Sequence, residues 1–258
     1  MKVEASEDGS GGGLIPCFFQ RQLTNPTTMP DGTNLKVRLV RRTLLSLILL
    51  PAVLFWAAGT LKFWQGWAFL VLSLGFPIGM TVYFYKRDPE MLARRMLTRE
   101  KVSAQKIIML LLRLLYLYTL IFAGWDYRSG WTRTNTGPVP WWLTLLALAI
   151  ILGCNFWFVS VMKANRFAAS IIQVEAGQTI AAAGPYRLVR HPMYLGVIVT
   201  WLATPLALGS EVTLPVFALI IPIIIFRLLN EENMLRRELP GYAEYCRHNR
   251  CRLIPFVW

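Results

Sequence analysis

The sequence predicts an all-α membrane protein, and three of its features support this prediction. Hydrophobic residues make up 55% of the 258 residues and the mean hydropathy is +0.45, which is too apolar for an ordinary soluble domain. The apolar residues form runs long enough to cross about 30 Å of hydrocarbon as helices. Basic residues cluster between these runs. We therefore expect a polytopic transmembrane helical protein, with about five transmembrane helices, a carboxy-terminal helical hairpin and a cytoplasmic tail.

The charge of the chain fits a membrane location. Its formal net charge is +13, and the lysines and arginines stand beside the apolar runs, where they contact anionic headgroups and set helix orientation. We therefore expect membrane lipids as partners and no nucleic acid. The four cysteines have no metal-ligand spacing and only two histidines accompany them, so we expect no metal site.

Residues 1–34 are predicted to form a flexible amino-terminal arm, because glycine, serine, proline and other polar residues dominate this stretch. Residues 35–162 are predicted to form a transmembrane scaffold. Its first two apolar runs, 43–61 and 67–85, are each long enough to cross a membrane as a helix.

The scaffold continues with an amphipathic segment at about 88–100, which carries several basic residues and apolar residues on helical spacing. This composition is typical of a short helix that lies on the cytoplasmic headgroups. Two further apolar runs, 107–124 and 141–162, complete the four helices of the scaffold.

Residues 163–258 differ from the scaffold in the polar residues they carry. A polar connector leads to a helical hairpin with arms at 193–208 and 214–229, and a polar tail follows. The loops at 86–106 and 163–190 and the tail hold nearly all of the loop lysines and arginines. The positive-inside rule therefore predicts that the amino terminus and the tail are cytoplasmic.

The start of the hairpin carries the first candidate site. Pro192 suits the first position of a helix, where its missing N–H group is not needed, and this places Arg190 and His191 at the cap. Unpaired N–H groups and the helix dipole attract anions there, and Arg187 stands three residues before Arg190. The same arginines equally suit contacts with lipid phosphates.

The second arm of the hairpin carries an arginine inside an apolar stretch. Arg227 follows residues 222–226, and a cation at that depth is costly unless it faces a cavity or a partner. Glu231 lies one turn later on the same face, whereas Glu232 lies about 100° away and within reach of Arg236. A functional site and a structural Arg227–Glu231 pair near the interface both fit this pattern.

Aromatic residues accompany both clusters. Tyr186, Tyr194, Tyr242 and Tyr245, together with Trp201, are candidates to line a pocket for an aromatic or cationic ligand. Each of them, taken singly, also suits an anchor at the membrane interface.

Four short motifs follow one another in the last third of the chain. Residues 184–196 read Gly-Pro-Tyr-Arg-Leu-Val-Arg-His-Pro-Met-Tyr-Leu-Gly, residues 227–235 contain Arg-x-x-x-Glu-Glu-x-x-Leu, residues 240–245 read Pro-Gly-Tyr-Ala-Glu-Tyr, and Ile254-Pro255 closes the series. In this order, over about 75 residues, they closely resemble the isoprenylcysteine carboxyl methyltransferase family of membrane enzymes, including its bacterial and archaeal relatives.

The resemblance implies a cofactor and a reaction. It implies S-adenosylmethionine, bound between the hairpin and the tail, and a lipid-like acceptor that enters from the bilayer, with residues 163–258 as the catalytic module. Arg190 and Arg227 match the arginines associated with the reacting carboxylate and are the predicted catalytic residues. The residues predicted to bind the cofactor are Tyr186, His191, Tyr194, Gly196, Glu231, Glu232 and Tyr242.

The predicted reaction is methyl transfer to the carboxylate of a prenylated cysteine or a similar lipophilic acceptor. A carboxylate is already a nucleophile, so the site needs positioning and desolvation more than a base. A phospholipid amine or a small thiol is an alternative acceptor, and an amine would need Glu231, Glu232 or His191 as a base. The first four spans do not align with the eukaryotic enzyme, and acceptor specificity is expected there.

Two functions of other classes are alternatives to methyl transfer. They are an NADPH-dependent membrane reductase of the sterol type and a non-catalytic lipid-binding protein. No Gly-x-Gly-x-x-Gly motif follows a strand, which excludes a soluble Rossmann-type methyltransferase.

Overall fold

The computed structural model describes residues 34–96, 103–165 and 180–258. The regular elements in these ranges are helices, which confirms the predicted all-α fold. Most of the predicted arm at 1–34, the end of the predicted interfacial helix and the middle of the 163–190 connector lie outside the described residues.

The helices are numbered in chain order. They are α1 (Leu35–Ala58), α2 (Trp64–Arg87, with a π-helical turn at Val71–Gly75), α3 (Pro89–Met96), α4 (Ser103–Ser129), α5 (Trp131–Asn135), α6 (Trp141–Ala164), α7 (Pro192–Ala207), α8 (Leu214–Ala218), α9 (Ile220–Glu238) and α10 (Tyr242–His248). Short 3₁₀ turns lie at Gly184–Arg187 and Glu211–Thr213.

Five helical segments within the described ranges are long and apolar enough to cross a membrane, which confirms the predicted number. They are Leu35–Ala58, Trp64–Arg87, Gln105–Ser129, Trp141–Ala164 and Glu211–Glu238. The first begins at Leu35 instead of residue 43, because the Asn34 side chain caps the helix by accepting a hydrogen bond from the Lys36 N–H group at 2.8 Å. An apolar run alone does not reveal such polar first turns.

The predicted carboxy-terminal hairpin is present, and its arms are unequal. α7 has 16 residues, which corresponds to about 24 Å, whereas the segment Glu211–Glu238 has 28 residues. α7 packs along α6 and also contacts α9. Five crossings alone would put the two ends of the chain on opposite sides of the membrane. A common side for both ends, as the sequence predicts, therefore requires α7 as a sixth crossing element.

The main apolar cluster joins α1, α4, α6 and α7. Leu54, Leu120, Ile151 and Ala207 are among its fully buried members. Large apolar side chains elsewhere on the long helices are exposed, as for Trp56 at 76%. This arrangement fits helices that share a small protein core and present the rest of their surface to lipid.

Helix α3 is amphipathic, as predicted, but its apolar face packs on protein. Asp88 caps it, since Asp88 Oδ1 accepts from the Met91 N–H group at 3.2 Å. Leu92 packs with Leu35 of α1, and Met91 packs with Met162 of α6. The helix therefore connects the first and fourth spans at the end of the molecule where the hairpin begins.

The contact between α1 and α4 depends on a glycine, which generates the first testable prediction. A Cβ atom on Gly124 would lie 2.7 Å from the Leu54 carbonyl oxygen and 2.8 Å from Ala57 Cβ. Gly124→Ala should therefore separate the two helices and cost about 1–3 kcal/mol of stability, seen as a lower thermal unfolding temperature in detergent.

The matched control is Gly153→Ala on α6, where a Cβ atom would meet nothing within 4 Å. Its unfolding temperature should stay the same or rise slightly, because alanine favours the helix more than glycine does. Equal unfolding temperatures for the two variants would contradict the close packing of α1 on α4.

Candidate functional site

The start of α7 is held in place by the carboxy-terminal tail. Pro192 is the first residue of α7, as predicted, and His191 before it has an extended φ of −122°. The backbone N–H groups of Arg190 and His191 donate to the carbonyl oxygens of Cys251 and Arg252, at 2.9 and 3.0 Å. These two N–H groups are thus bonded to protein and are not left for an anion.

Glu232 is the carboxylate that the charged side chains at the start of α7 and in the tail contact. Its Oε1 atom lies 2.8 Å from Arg190 Nη2 and 3.2 Å from His191 Nε2, and its Oε2 atom lies 3.1 Å from Arg252 Nε. The Glu232 side chain is only 3% exposed. A buried carboxylate is tolerated when charged donors surround it in this way. The expected contact with Arg236 is replaced by these long-range partners.

A second buried network lies next to the first. Arg227 Nε donates to the Tyr194 hydroxyl oxygen at 3.1 Å, and that hydroxyl donates a short hydrogen bond to Glu231 Oε2. Arg227 Nη1 donates to Gln105 Oε1 at 2.9 Å. Arg227 is 5% exposed and Gln105 is 1% exposed. Tyr194 therefore links the arginine to Glu231, the residue that the helical period predicted on the same face.

The two networks adjoin through aromatic rings. The rings of His191 and Tyr194 stack with centroids 5.7 Å apart and an interplanar angle of 24°. The antiparallel packing of α7 and α9 brings the residues together, since Tyr194 lies in the first turn of α7 and Glu231 in the second half of α9. The structure thus brings together six of the predicted site residues. They are Arg190, His191, Tyr194, Arg227, Glu231 and Glu232.

The tyrosines of the tail anchor the 3₁₀ turn. The Tyr186 carbonyl oxygen accepts from the Tyr245 hydroxyl at 2.9 Å and from Asn249 Nδ2 at 2.7 Å, while Asn165 Nδ2 donates to the Tyr186 hydroxyl at 3.1 Å. Burial raises the pKa of Tyr186 to about 12. Tyr242 is also buried, and burial followed by the charge of Glu232 raises its pKa well above the usual value. Both phenols are therefore neutral near pH 7.

Two other predicted residues lie elsewhere. A Cβ atom on Gly196 would meet Phe158 at 2.9 Å and Trp157 at 3.1 Å, so this glycine allows the close packing of α7 on α6. Trp201 contacts the rings of Tyr116 and Phe217 and does not join the tyrosines of the tail. The expected aromatic pocket with Trp201 is therefore wrong, and a cofactor contact for Gly196 stays a prediction.

Comparison with known proteins gives a family match for the part of the chain that carries most residues of both networks. Residues 144–237 match the model of the isoprenylcysteine carboxyl methyltransferase (ICMT) family. The carboxy-terminal part of the chain is therefore similar to ICMT-family sequences over these residues. The predicted resemblance is thereby confirmed over α6, the hairpin and the end of α9.

One relative of the chain is named for metal resistance. The cobalt-zinc-cadmium resistance protein CzcN of Cupriavidus metallidurans is 26% identical over 155 residues, which cover 58% of this chain and 62% of CzcN. The match therefore spans less than two thirds of that relative. Within the ranges 34–96, 103–165 and 180–258, no group of three or more His, Cys, Asp or Glu residues is placed to hold a metal ion.

The ICMT match includes most of the site but not all of it. Tyr242, Arg252 and Gln105 lie outside residues 144–237. Sequence reasoning missed Arg252 and Gln105. Arg252 is one of several basic residues in the tail, and Gln105 resembles an ordinary polar residue at the start of a span. Only the folded chain shows that they contact the ICMT residues.

Residues on both sides of the predicted boundary at residue 162 contribute to the site. Gln105 on α4 bonds to Arg227, and the Arg95 guanidinium of α3 lies 3.8 Å from the Met193 sulfur of α7. The first part of the chain is thus more than a scaffold, because α3 and α4 both contact the hairpin where the ICMT residues converge.

The Glu232 network generates the second prediction. Glu232→Gln keeps the shape of the side chain and removes the charge that Arg190 and Arg252 face. Breaking a buried ion pair from one side costs about 3–5 kcal/mol. We expect a lower thermal unfolding temperature and faster tryptic cleavage in the tail, at residues such as Arg250.

Glu244→Gln is the control. Glu244 pairs with Arg247 at 3.0 Å on an exposed surface of α10, so its loss should cost about 1 kcal/mol or less. If Glu232→Gln were no more sensitive to trypsin or heat than Glu244→Gln, the tail would not depend on Glu232.

Proposed function

We propose that this chain is a membrane-embedded, S-adenosylmethionine-dependent methyltransferase that acts on a lipophilic acceptor. By resemblance the acceptor is the carboxylate of a prenylated cysteine or a similar group. The observation that carries the proposal is the buried Arg227–Tyr194–Glu231 network inside an ICMT-matched hairpin. The five long apolar segments support the membrane location.

The arginine supports an anionic acceptor. A guanidinium buried to this degree loses hydration, and only charged or strongly polar partners compensate for that loss. Tyr194 and Gln105 are neutral hydrogen-bond acceptors that fix its position. A carboxylate from the acceptor would be oriented by the planar donors of Arg227.

The residues near the hairpin fit the chemical groups of S-adenosylmethionine. Among the described residues, Arg190 Nε and the Tyr242 hydroxyl are buried and have no hydrogen-bond partner. Arg190 Nε would donate to the carboxylate of the cofactor, in place of the contact with the reacting carboxylate that the resemblance implies. The Tyr242 hydroxyl and Glu231 would hold ribose hydroxyls or the ammonium group. The two sides of Glu232 are already bonded, so its contribution to cofactor binding is to place Arg190 and His191.

Methyl transfer to a carboxylate requires little acid–base catalysis from the protein. When bound, S-adenosylmethionine would supply a methyl group on a sulfonium, and the acceptor oxygen would displace the neutral thioether of S-adenosylhomocysteine. A carboxylate attacks without losing a proton, so Arg227 and Tyr194 serve to orient it and the apolar hairpin excludes water. Such positioning explains why buried cations and phenols, and not an exposed base, lie at the centre of the site.

The basic residues support a cytoplasmic site. Among the described residues near the ends of the long helices, Lys36, Lys86, Lys163 and Arg237 lie at the end that carries the site, and Lys62, Arg128 and Arg133 lie at the opposite end. Clusters such as Arg38, Arg41 and Arg42 add to the first group. We propose on this basis that the site and both ends of the chain face the cytoplasm.

Cofactor binding is the third prediction. Purified full-length protein in detergent should bind S-adenosylhomocysteine saturably in calorimetry and should transfer labelled methyl from S-adenosylmethionine to N-acetyl-S-farnesyl-cysteine. Absence of S-adenosylhomocysteine binding would overturn the methyltransferase proposal. Binding with methylation only of a phospholipid amine or a small thiol would keep the reaction class and reject the carboxylate acceptor.

The fourth prediction separates the roles of two residues in one network. Arg227→Lys keeps the charge but loses the planar donors, and it should lower kcat/KM for the acceptor by about 100-fold or more while S-adenosylhomocysteine still binds. Glu231→Gln should weaken S-adenosylhomocysteine binding. Loss of S-adenosylhomocysteine binding in the arginine variant, with full binding in the glutamine variant, would reverse the proposed roles.

A further inference from the structure

Gln105 is a buried polar residue that neither the sequence motifs nor the ICMT match accounts for. It lies in the first turns of α4 and outside residues 144–237. Its side chain is 1% exposed and contacts Arg227 of α9, which lies 122 residues later in the chain. A polar side chain buried at the centre of the candidate site needs a physical explanation.

The Arg227 contact fixes which way the Gln105 amide points. Arginine only donates hydrogen bonds, so the Gln105 atom that lies 2.9 Å from Arg227 Nη1 must be the carbonyl oxygen Oε1. The amide nitrogen Nε2 then points away from this bond. The orientation follows from the donor chemistry of the guanidinium.

The Gln105 Nε2 atom is buried and has no hydrogen-bond partner in the part of the chain that the structure describes. A buried donor without an acceptor is unfavourable, and such a group in a folded protein calls for an explanation, such as a catalytic role or a bound water or ion. An acceptor atom brought by a ligand would satisfy this N–H group.

We propose that Gln105 is an acceptor-positioning residue, whose amide N–H group donates to an oxygen of the acceptor carboxylate beside Arg227. This inference rests on the proposed methyltransferase function and narrows its substrate class. The unpaired Gln105 N–H group belongs to an amide that contacts the Arg227 guanidinium, and a donor beside a cation suits an oxygen anion. An amine or ammonium acceptor brings further donors and would leave the Gln105 N–H group unpaired.

The proposal also explains where discrimination between acceptors arises. The hairpin and α6 carry the ICMT match, whereas Gln105 belongs to the upstream half, which the sequence linked to acceptor specificity. Gln105 connects the two parts, since its carbonyl oxygen holds a hairpin arginine and its N–H group faces the ligand.

The test compares two substitutions at Gln105 in the full-length protein. Gln105→Met keeps the length of the side chain and removes both polar groups, whereas Gln105→Glu keeps an oxygen for Arg227 and adds a negative charge. For each variant we would measure kcat and KM with N-acetyl-S-farnesyl-cysteine, and the affinity for S-adenosylhomocysteine by calorimetry.

The expected result is a loss on the acceptor side only. Gln105→Met should raise the KM for N-acetyl-S-farnesyl-cysteine by about 10-fold or more, because a hydrogen bond to a charged group is lost. Gln105→Glu should lower kcat/KM further, because the added carboxylate repels the acceptor and pairs with Arg227. S-adenosylhomocysteine affinity should stay within about 2-fold of the wild-type value in both variants.

A second measurement excludes a purely structural role. The wild-type protein should bind N-acetyl-S-farnesyl-cysteine more tightly than its carboxamide, and Gln105→Met should reduce this preference. Thr119→Val is the control on the same helix, since Thr119 is buried and its hydroxyl bonds only to the Leu115 carbonyl oxygen in the described structure. It should leave the preference unchanged.

The possible outcomes distinguish a failure of the role proposed for Gln105 from a failure of the proposed methyltransferase function. A wild-type protein that neither binds S-adenosylhomocysteine nor methylates the carboxylate overturns both. An active wild-type protein whose Gln105 variants keep their KM and their preference for the carboxylate overturns the role of Gln105 alone. If Gln105→Met fails to fold, as judged by lost S-adenosylhomocysteine binding, the same comparison with Gln105→Glu decides.

Discussion

Charge buried at one end of an apolar hairpin is the constraint on which the structure depends. Glu232 lies between Arg190, His191 and Arg252, so a single carboxylate joins the start of α7, the end of α9 and the tail. Without these partners, the burial of Glu232 would be strongly unfavourable. The tail must therefore fold back onto the hairpin, and this return encloses the neighbouring network of Arg227.

The Glu232 network and the Arg227 network differ in their contacts. Glu232 is bonded on both oxygens to protein groups, and its role is to hold elements together. Arg227 and Glu231 meet through the Tyr194 hydroxyl, and the unpartnered atoms of Arg190, Tyr242 and Gln105 lie among the residues of the two networks. In the proposed function, the Glu232 network holds the site together, and these unpartnered atoms bind the small molecules.

Local sequence patterns were sufficient for part of this account. The apolar runs predict the five long spans, Pro192 predicts the start of α7, and the helical period puts Arg227 and Glu231 on one face. These features depend on residues within a few turns of one another. The order of the motifs also predicts the ICMT match, which lies at residues 144–237.

The long-range contacts could not be predicted from such local patterns. The sequence predicts Arg236 as a partner of Glu232, but Glu232 bonds to Arg190 and Arg252, because the start of α7 and the folded tail offer closer partners than its own helix does. Gln105 carries no helical period that points to Arg227, and Trp201 faces other spans. Each of these depends on how helices distant in sequence pack, which no single stretch of residues encodes.

The most direct measurement is an experimental structure of the full-length protein with S-adenosylhomocysteine and N-acetyl-S-farnesyl-cysteine bound. The account predicts that the acceptor carboxylate lies within hydrogen-bond distance of Arg227, with the cofactor between the hairpin and the tail near Tyr242. Ligands bound away from the hairpin, or an Arg227 guanidinium that contacts only lipid headgroups, would contradict it.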